Sequence, residues 1–261
     1  MGLFSLDSCA FVGMVHLKAL PGSSGWAGDL QAVEDAALKD AEALISGGCH
    51  AILVENMGDA PYLNGEVAPE TAAAMTRITR EVVRLGLPTG VQVLAGANRQ
   101  ALAVAHAAEA HFLRVEGFAY AHVADEGWMD ACAGPLLRAR ANIGATHIQI
   151  WTDVQKKHSA HAVTGDLSME ELAQGHAFCG SDALVITGSR TGSRTDPKDI
   201  QAAALSRLPV IVGSGVDVED AASLAKIADA LIVGSALKVD GCWSNPVDPM
   251  RVGAISEALR G

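Results

Sequence analysis

Residues Pro209 to Ser235 read PVIVGSGVDVEDAASLAKIADALIVGS. Two short aliphatic runs, Pro209–Gly215 and Ala230–Ser235, flank a segment, Val218–Ala225, whose apolar positions have helical spacing. Both runs are apolar almost throughout, as expected of parallel strands covered on both faces by helices. Both run out into Gly-Ser. The stretch is one strand-helix-strand unit, and the chain repeats its pattern.

Working outward, similar runs occur at Phe11–Leu17, Ala51–Asn56, Thr89–Ala95, His111–Glu116, His147–Asp153 and Ala183–Gly188. Helical patterns lie between them at Leu30–Ser46, Pro69–Leu85, Arg99–Glu109, Ser168–Phe178 and Pro197–Ser206. Asp29 is placed to cap the first helix and Gly47-Gly48 to end it. Pro69 and Pro197 sit where a first-turn proline is tolerated. Eight units in 261 residues is about 33 residues each, which matches a (β/α)8 TIM barrel of ~250 residues in a single domain spanning 1–261. The open doubly wound sheet is the alternative, and it often carries G-x-G-x-x-G after its first strand. Here that position reads VHLKALPG from Val15 to Gly22.

Composition narrows the function classes. Apolar residues are 49 % and charged residues 19 % of the chain, which excludes global disorder. The formal charge of −11, with no basic stripe, argues against nucleic acid as a partner. Five cysteines (Cys9, Cys49, Cys132, Cys179 and Cys242) are widely spaced and lack C-x-x-C, the pattern of a reduced cytoplasmic protein. Met1 to Ala10 lacks the features of a secretory signal. No apolar run reaches the ~20 residues of a transmembrane segment. The composition permits a homo-oligomer, but no residue marks its interface.

Alternation along strands points to a polar mouth. Met14, His16 and, just beyond the strand, Lys18 share a side; so do Leu53 and Glu55, Phe112, Arg114 and Glu116, and Gln149, Trp151 and Asp153. The ionisable members fall at the C-terminal ends of their strands, where barrel active sites lie. His16, Lys18, Glu55, Arg114, Glu116 and Asp153 are therefore the candidate catalytic residues. Internal ion pairs holding strands in register are the competing explanation for each of them.

The two Gly-Ser turns make the most specific local signal. Loops after the seventh and eighth strands hold phosphate in many barrels, because glycine lets backbone N–H groups approach the anion. Gly213, Ser214, Gly215, Gly234 and Ser235 are the candidate phosphate-binding residues. Tight turns alone would also explain these glycines. Asn56, Thr187 and Ser189 are candidate substrate-binding residues, and the stretch Thr187–Arg194 adds hydroxyls and two arginines. His158 and His161, with Asp153, Glu55 and Glu116, are candidate ligands for a divalent metal ion, although no H-E-x-x-H or EF-hand loop is present. No lysine stands out as activated. The connections from Gly117 to Gly134 and from Val154 to Asp166 follow strands and are long enough to be lids.

Several motifs resemble the BtpA/SgcQ family: GMVHLKALPG from Gly13, VENMGDAPY from Val54, Arg114-Val115-Glu116-Gly117, KHSAH from Lys157, and VGSALKVDG from Val233. The resemblance covers nearly the whole chain. It implies a TIM barrel related to phosphate-binding barrels. The family's cyanobacterial namesake is tied to photosystem I biogenesis, and another branch lies among sugar-phosphate genes and is labelled a nucleoside triphosphatase. The resemblance carries over fold and substrate class, not a catalytic residue set.

The expectation is an enzyme acting on a small phosphorylated sugar or ribose-phosphate-like compound by acid–base chemistry. Isomerisation, lyase-type or glycosidic cleavage and phosphate-ester hydrolysis all remain open. The alternatives are a non-catalytic assembly or regulatory protein, and a metal-dependent nucleotide phosphohydrolase.

Overall fold

Ala10–His16 (β1), Ala51–Glu55 (β2), Thr89–Gln92 (β3), Phe112–Val115 (β4), Gln149–Asp153 (β5), Ala183–Ile186 (β6), Val210–Val212 (β7) and Ala230–Val233 (β8) are the strands of a closed parallel barrel. In the computed structural model, residue 4 and residues 8–188 and 194–260 are described. Each strand pairs with its neighbours in chain order, and β1 pairs with β8 to close the ring. Among the described residues eight α-helices lie between and after the strands: Leu30–Ser46 (α1), Pro69–Arg84 (α2), Asn98–Ala108 (α3), Ala133–Asn142 (α4), Met169–Phe178 (α5), Pro197–Ala204 (α6), Val218–Leu224 (α7) and Pro249–Ala258 (α8). The predicted (β/α)8 barrel is the observed architecture.

Local chemistry explains the boundaries. The Asp29 side chain accepts from the Ala32 N–H and so caps α1, while Gly48, at φ +96, follows its C-terminus. Pro69 and Pro197 sit in the first turns of α2 and α6. On α2 the buried positions Thr71, Ala74, Met75, Ile78, Thr79 and Val82 form one stripe at three- and four-residue spacing. Each large apolar side chain on it contributes about 1.5–3 kcal/mol of burial.

The barrel has two cores. The outer one lies between strands and helices. The inner one is filled by Ala10, Val12, Met14, Ala51, Leu53, Phe112, Trp151, Ala183, Val185, Ile211, Ala230 and Ile232. Phe112 and Trp151 stack with centroids 3.7 Å apart, and Phe4 tilts against Trp151 at 5.3 Å. These side chains alternate with those of the outer core, as a packed barrel requires. The next inward positions toward the strand C-termini are the polar ones.

Among the described residues three strands lie outside the barrel. His122–Ala124 and Gly127–Met129 form a hairpin, and Ser159–Ala160 adds to its edge. The two long connections thus join in one small antiparallel sheet. Asn64 donates from Nδ2 to the carbonyls of Glu126 (3.0 Å) and Trp128 (2.9 Å), tying that sheet to the loop after β2. Among the described residues no helix is long and apolar enough to cross a membrane.

Candidate functional site

Parallel register brings the polar ends of the strands together. His16 on β1 is level with Glu55 on β2, and Glu55 with Gln92 on β3. Arg114, inward on β4, reaches across to Asp153 on β5 in a two-pronged pair: Nε to Oδ2 at 3.0 Å and Nη2 to Oδ1 at 2.8 Å. Both side chains are almost wholly buried. Burial works against the Arg114 charge, but the Asp153 carboxylate outweighs it and holds the guanidinium in its charged form. Arg114 Nη1 also donates to the Gly213 carbonyl at 3.5 Å, which ties β4 to the seventh strand's turn.

The remaining groups are shifted by desolvation. Burial pushes the Glu116 carboxyl up to about 7. Glu116 accepts from Gln92 at 3.5 Å through one oxygen, and the other, buried, has no partner among the described residues. Burial also raises Glu55, with Lys157 and Arg114 opposing the shift. His16, 3.7 Å from Glu55, is lowered to about 3 by burial and by the positive Lys238, so it is neutral at physiological pH.

A cavity of about 230 Å³ opens at this mouth. His16, Glu55, Arg114 and Lys157 line it together with Gly213, Ser214, Gly215, Gly234 and Ser235. All five proposed phosphate-binding residues therefore face one space. Packing also demands two of the glycines. A Cβ on Gly213 would lie 2.4 Å from Val185 Cγ1, and one on Gly234 would lie 3.0 Å from His16 Cε1. Gly215 has φ +70 and needs glycine for its conformation. The Ser214 hydroxyl accepts from the Gly188 N–H at 3.1 Å, leaving its own proton free to donate.

Not every candidate arrives at the cavity. Glu116 and Asp153 are buried beside it rather than in its lining. Lys18 is exposed and lines a separate depression against α1. Strand alternation stops applying after His16, where Leu17 bonds to Glu55 and its carbonyl accepts from Gly58 in a close backbone approach. Asn56 is buried with its amide engaged: Nδ2 donates to Asp59 at 2.9 Å, and Oδ1 accepts from the Leu94 N–H at 2.7 Å. It fastens the loop after β2 to the end of β3. Thr187 donates to the Gln155 carbonyl. Ser189 lies outside the described residues.

The histidines do not converge on a metal site. His161 Nε2 lies 2.9 Å from the Lys156 carbonyl and its ring packs against His122, while His158 is exposed. Asp153 is committed to Arg114. Among the described residues no three His, Cys, Asp or Glu side chains gather as a cation site.

Sequence reading missed Lys157. It sits on a loop, where no periodicity assigns direction, and only the fold shows its neighbour Lys156 tied to the small antiparallel sheet by a buried pair with Glu126 at 2.6 Å. The KHSAH motif contains the residue without indicating its role.

Known proteins share the barrel. The sequence profile of the BtpA family matches residues 8–261. A mitochondrial protein of Caenorhabditis elegans is 41 % identical, over 92 % of this chain and 89 % of its own. The photosystem I biogenesis protein BtpA of Synechocystis is 35 % identical, over 95 % of this chain and 87 % of its own. Among solved structures, orotidine 5′-monophosphate decarboxylase from Methanocaldococcus jannaschii superposes with a TM-score of 0.61 at 16 % identity, covering 97 % of this chain and 99 % of its own. Phosphoribosylanthranilate isomerase from Pyrococcus furiosus gives 0.58 at 13 %, covering 96 % and 98 %. At such identities these structures share the barrel only. The family profile and the two sequence relatives carry more: this chain belongs to the BtpA family.

Proposed function

We propose that this protein is an enzyme acting on a small phosphorylated sugar or ribose-phosphate-like compound by acid–base chemistry at the barrel mouth. The observation that carries the reading is one cavity lined both by the two Gly-Ser turns and by the ionisable groups His16, Glu55, Arg114 and Lys157. Backbone N–H groups of the turns around Gly213–Gly215 and Gly234–Ser235, with the two serine hydroxyls, would hold the phosphate. At about 230 Å³ the cavity lies below the ~300–1,000 Å³ of drug-sized pockets, which favours a small metabolite. The solved barrels it resembles include phosphoribosylanthranilate isomerase and orotidine 5′-monophosphate decarboxylase.

The roles follow from the electrostatics. Arg114, kept charged and aimed by Asp153, neutralises charge that develops on the substrate. Glu55, in the cavity wall, moves protons, and His16, held neutral, offers the substrate a hydrogen bond. Glu116, with a carboxyl that titrates near neutrality, supports proton transfer from beside the cavity. Five free cysteines fit a reducing compartment such as the cytoplasm.

Thermal unfolding with inorganic phosphate and a panel of triose, pentose and hexose phosphates tests the reading. At a hundredfold excess over Kd a ligand adds about 2.7 kcal/mol, a rise in Tm of roughly 5–10 °C for a chain of this size. Ser214→Asp should abolish the rise while its own Tm stays near that of the wild type. No rise with any compound would sink the reading and direct attention to a protein partner, the role that the name of the Synechocystis relative suggests.

A further inference from the structure

We propose that the Lys157 amine is a nucleophile that forms an iminium with the carbonyl carbon of a small phosphorylated ketone or aldehyde. The inference rests on the phosphorylated-substrate reading above and narrows it to carbonyl compounds.

The placement is the first ground. Lys157 lines the same cavity as Ser214 and Ser235, so a substrate with its phosphate on the turns presents its carbon chain to this side chain. The second ground is the contrast with the buried cations. Arg114 is pinned to Asp153, Lys156 to Glu126, and Lys238 to Asp40. Lys157 is half-buried at the cavity wall and forms no ion pair or hydrogen bond among the described residues. Glu55, Asp153 and Glu116 act on it only through space, as does the positive Arg114. His16 shares its cavity. A lysine kept only to neutralise the carboxylates would be expected to contact one of them.

Its ionisation is consistent with this role. Burial holds the ammonium below the ordinary lysine range, and Arg114 adds to the effect, while the carboxylates oppose it. A larger fraction of neutral amine results.

The chemistry balances within the cavity. The amine lone pair forms the N–C bond, and the C=O π pair moves to oxygen, which takes a proton from the amine to give a carbinolamine. The Glu55 carboxyl, raised by burial, protonates the departing hydroxyl, and water leaves as the nitrogen lone pair forms the C=N bond. The products are one iminium cation, one Glu55 carboxylate and one water. The new positive charge beside Arg114 is matched by the new negative charge on Glu55. Such an iminium is an electron sink that supports proton abstraction or carbon–carbon cleavage at the adjacent carbon.

Borohydride trapping tests the proposal on the intact protein. The probes are dihydroxyacetone phosphate, ribulose 5-phosphate and the two dephosphorylated sugars, followed by peptide mapping. The exposed lysines Lys18, Lys39, Lys198 and Lys226 are internal controls. The expected result at neutral pH is an adduct on Lys157 at least about tenfold more abundant than on any control, because binding holds the carbonyl carbon against this amine. It should be suppressed by inorganic phosphate and absent in Lys157→Arg, whose phosphate-induced Tm rise should persist. Labelling that follows exposure, or no Lys157 adduct with any probe, overturns the proposal. If phosphate still raises Tm in that case, the phosphorylated-substrate reading survives alone. Equal trapping of phosphorylated and dephosphorylated sugars would instead remove the phosphate reading and keep the nucleophile.

Discussion

Glu116 sits just past β4 with one oxygen weakly held by Gln92 and the other buried without a partner among the described residues. The folded protein keeps this carboxyl protonated up to about 7, whereas an unfolded glutamic acid releases its proton near 4.5. Between those values the folded state binds more protons than the unfolded state. Stability from this group is thus complete below about 4.5 and is lost as pH rises toward 7, by roughly 3 kcal/mol. Glu116→Gln keeps a neutral side chain of the same shape. Denaturant unfolding should show it matching the wild type near pH 4.5 and exceeding it by about 1–3 kcal/mol at pH 8. A difference that does not grow with pH would mean that the carboxyl is ionised when folded. His16 acts in the opposite sense: its folded value near 3 means stability present above 6.5 and lost as pH falls toward 3. Comparing the Glu116 variant with the wild type at each pH removes that shared background. Much at this scale was legible in the sequence. Period-two alternation placed His16, Glu55, Arg114 and Asp153 at one end of the barrel, because regular strands fix side-chain direction. Lys18 and Lys157 were not legible, since each follows the last paired residue of its strand.

Among the elements, the small sheet over the mouth is the one whose stability is separable. Its strands share hydrogen bonds with one another but no ladder with the barrel. It is held by the Asn64 amide and by the Lys156–Glu126 pair, both of whose side chains are buried. Removing one partner of such a pair leaves a buried uncompensated charge, at a cost of about 3–5 kcal/mol. Glu126→Gln should therefore open this sheet locally. Hydrogen exchange should show protection at His122–Ala124 and Gly127–Met129 falling at least about tenfold, with β1 to β8 unchanged. Loss of protection in the barrel strands in step with the sheet would show that the two fold as one unit. The sequence marks both connections as long, but not as paired. Strands of two or three residues are too short for alternation to register, and the pairing of Val123 with Ala160 joins segments far apart in the chain. Helices α4 and α8 also escape the apolar pattern; the small number of buried side chains does not account for it, since α5, α6 and α7 bury as few and were legible.

The closed barrel as a whole depends on filling a narrow interior with few large side chains. Phe112 lies flat across it, stacked on Trp151, and the space it occupies exists because β3 carries glycine at the facing position. A Cβ on Gly90 would lie 2.0 Å from Phe112 Cε2 and 2.3 Å from Cδ2. The ring has nowhere to retreat, since Trp151 covers its other face. The repeating pattern of the chain makes the eight-stranded barrel legible. Which strand must carry glycine was not, because that follows from where one ring falls in the closed register. Gly90→Ala should destabilise the whole molecule by about 3 kcal/mol, the upper part of the range for overpacking, despite the better backbone propensity of alanine. Denaturant unfolding read by tryptophan fluorescence reports this directly, since Trp151 is in contact with the displaced ring. The cause can be isolated by a second change. Phe112→Leu alone costs burial and leaves a void. If the clash is what destabilises Gly90→Ala, the double variant should recover about 1–3 kcal/mol relative to the sum of the single changes, the coupling expected of residues in contact. Strict additivity would mean that the alanine acts on the β3 backbone rather than on the packing of the interior.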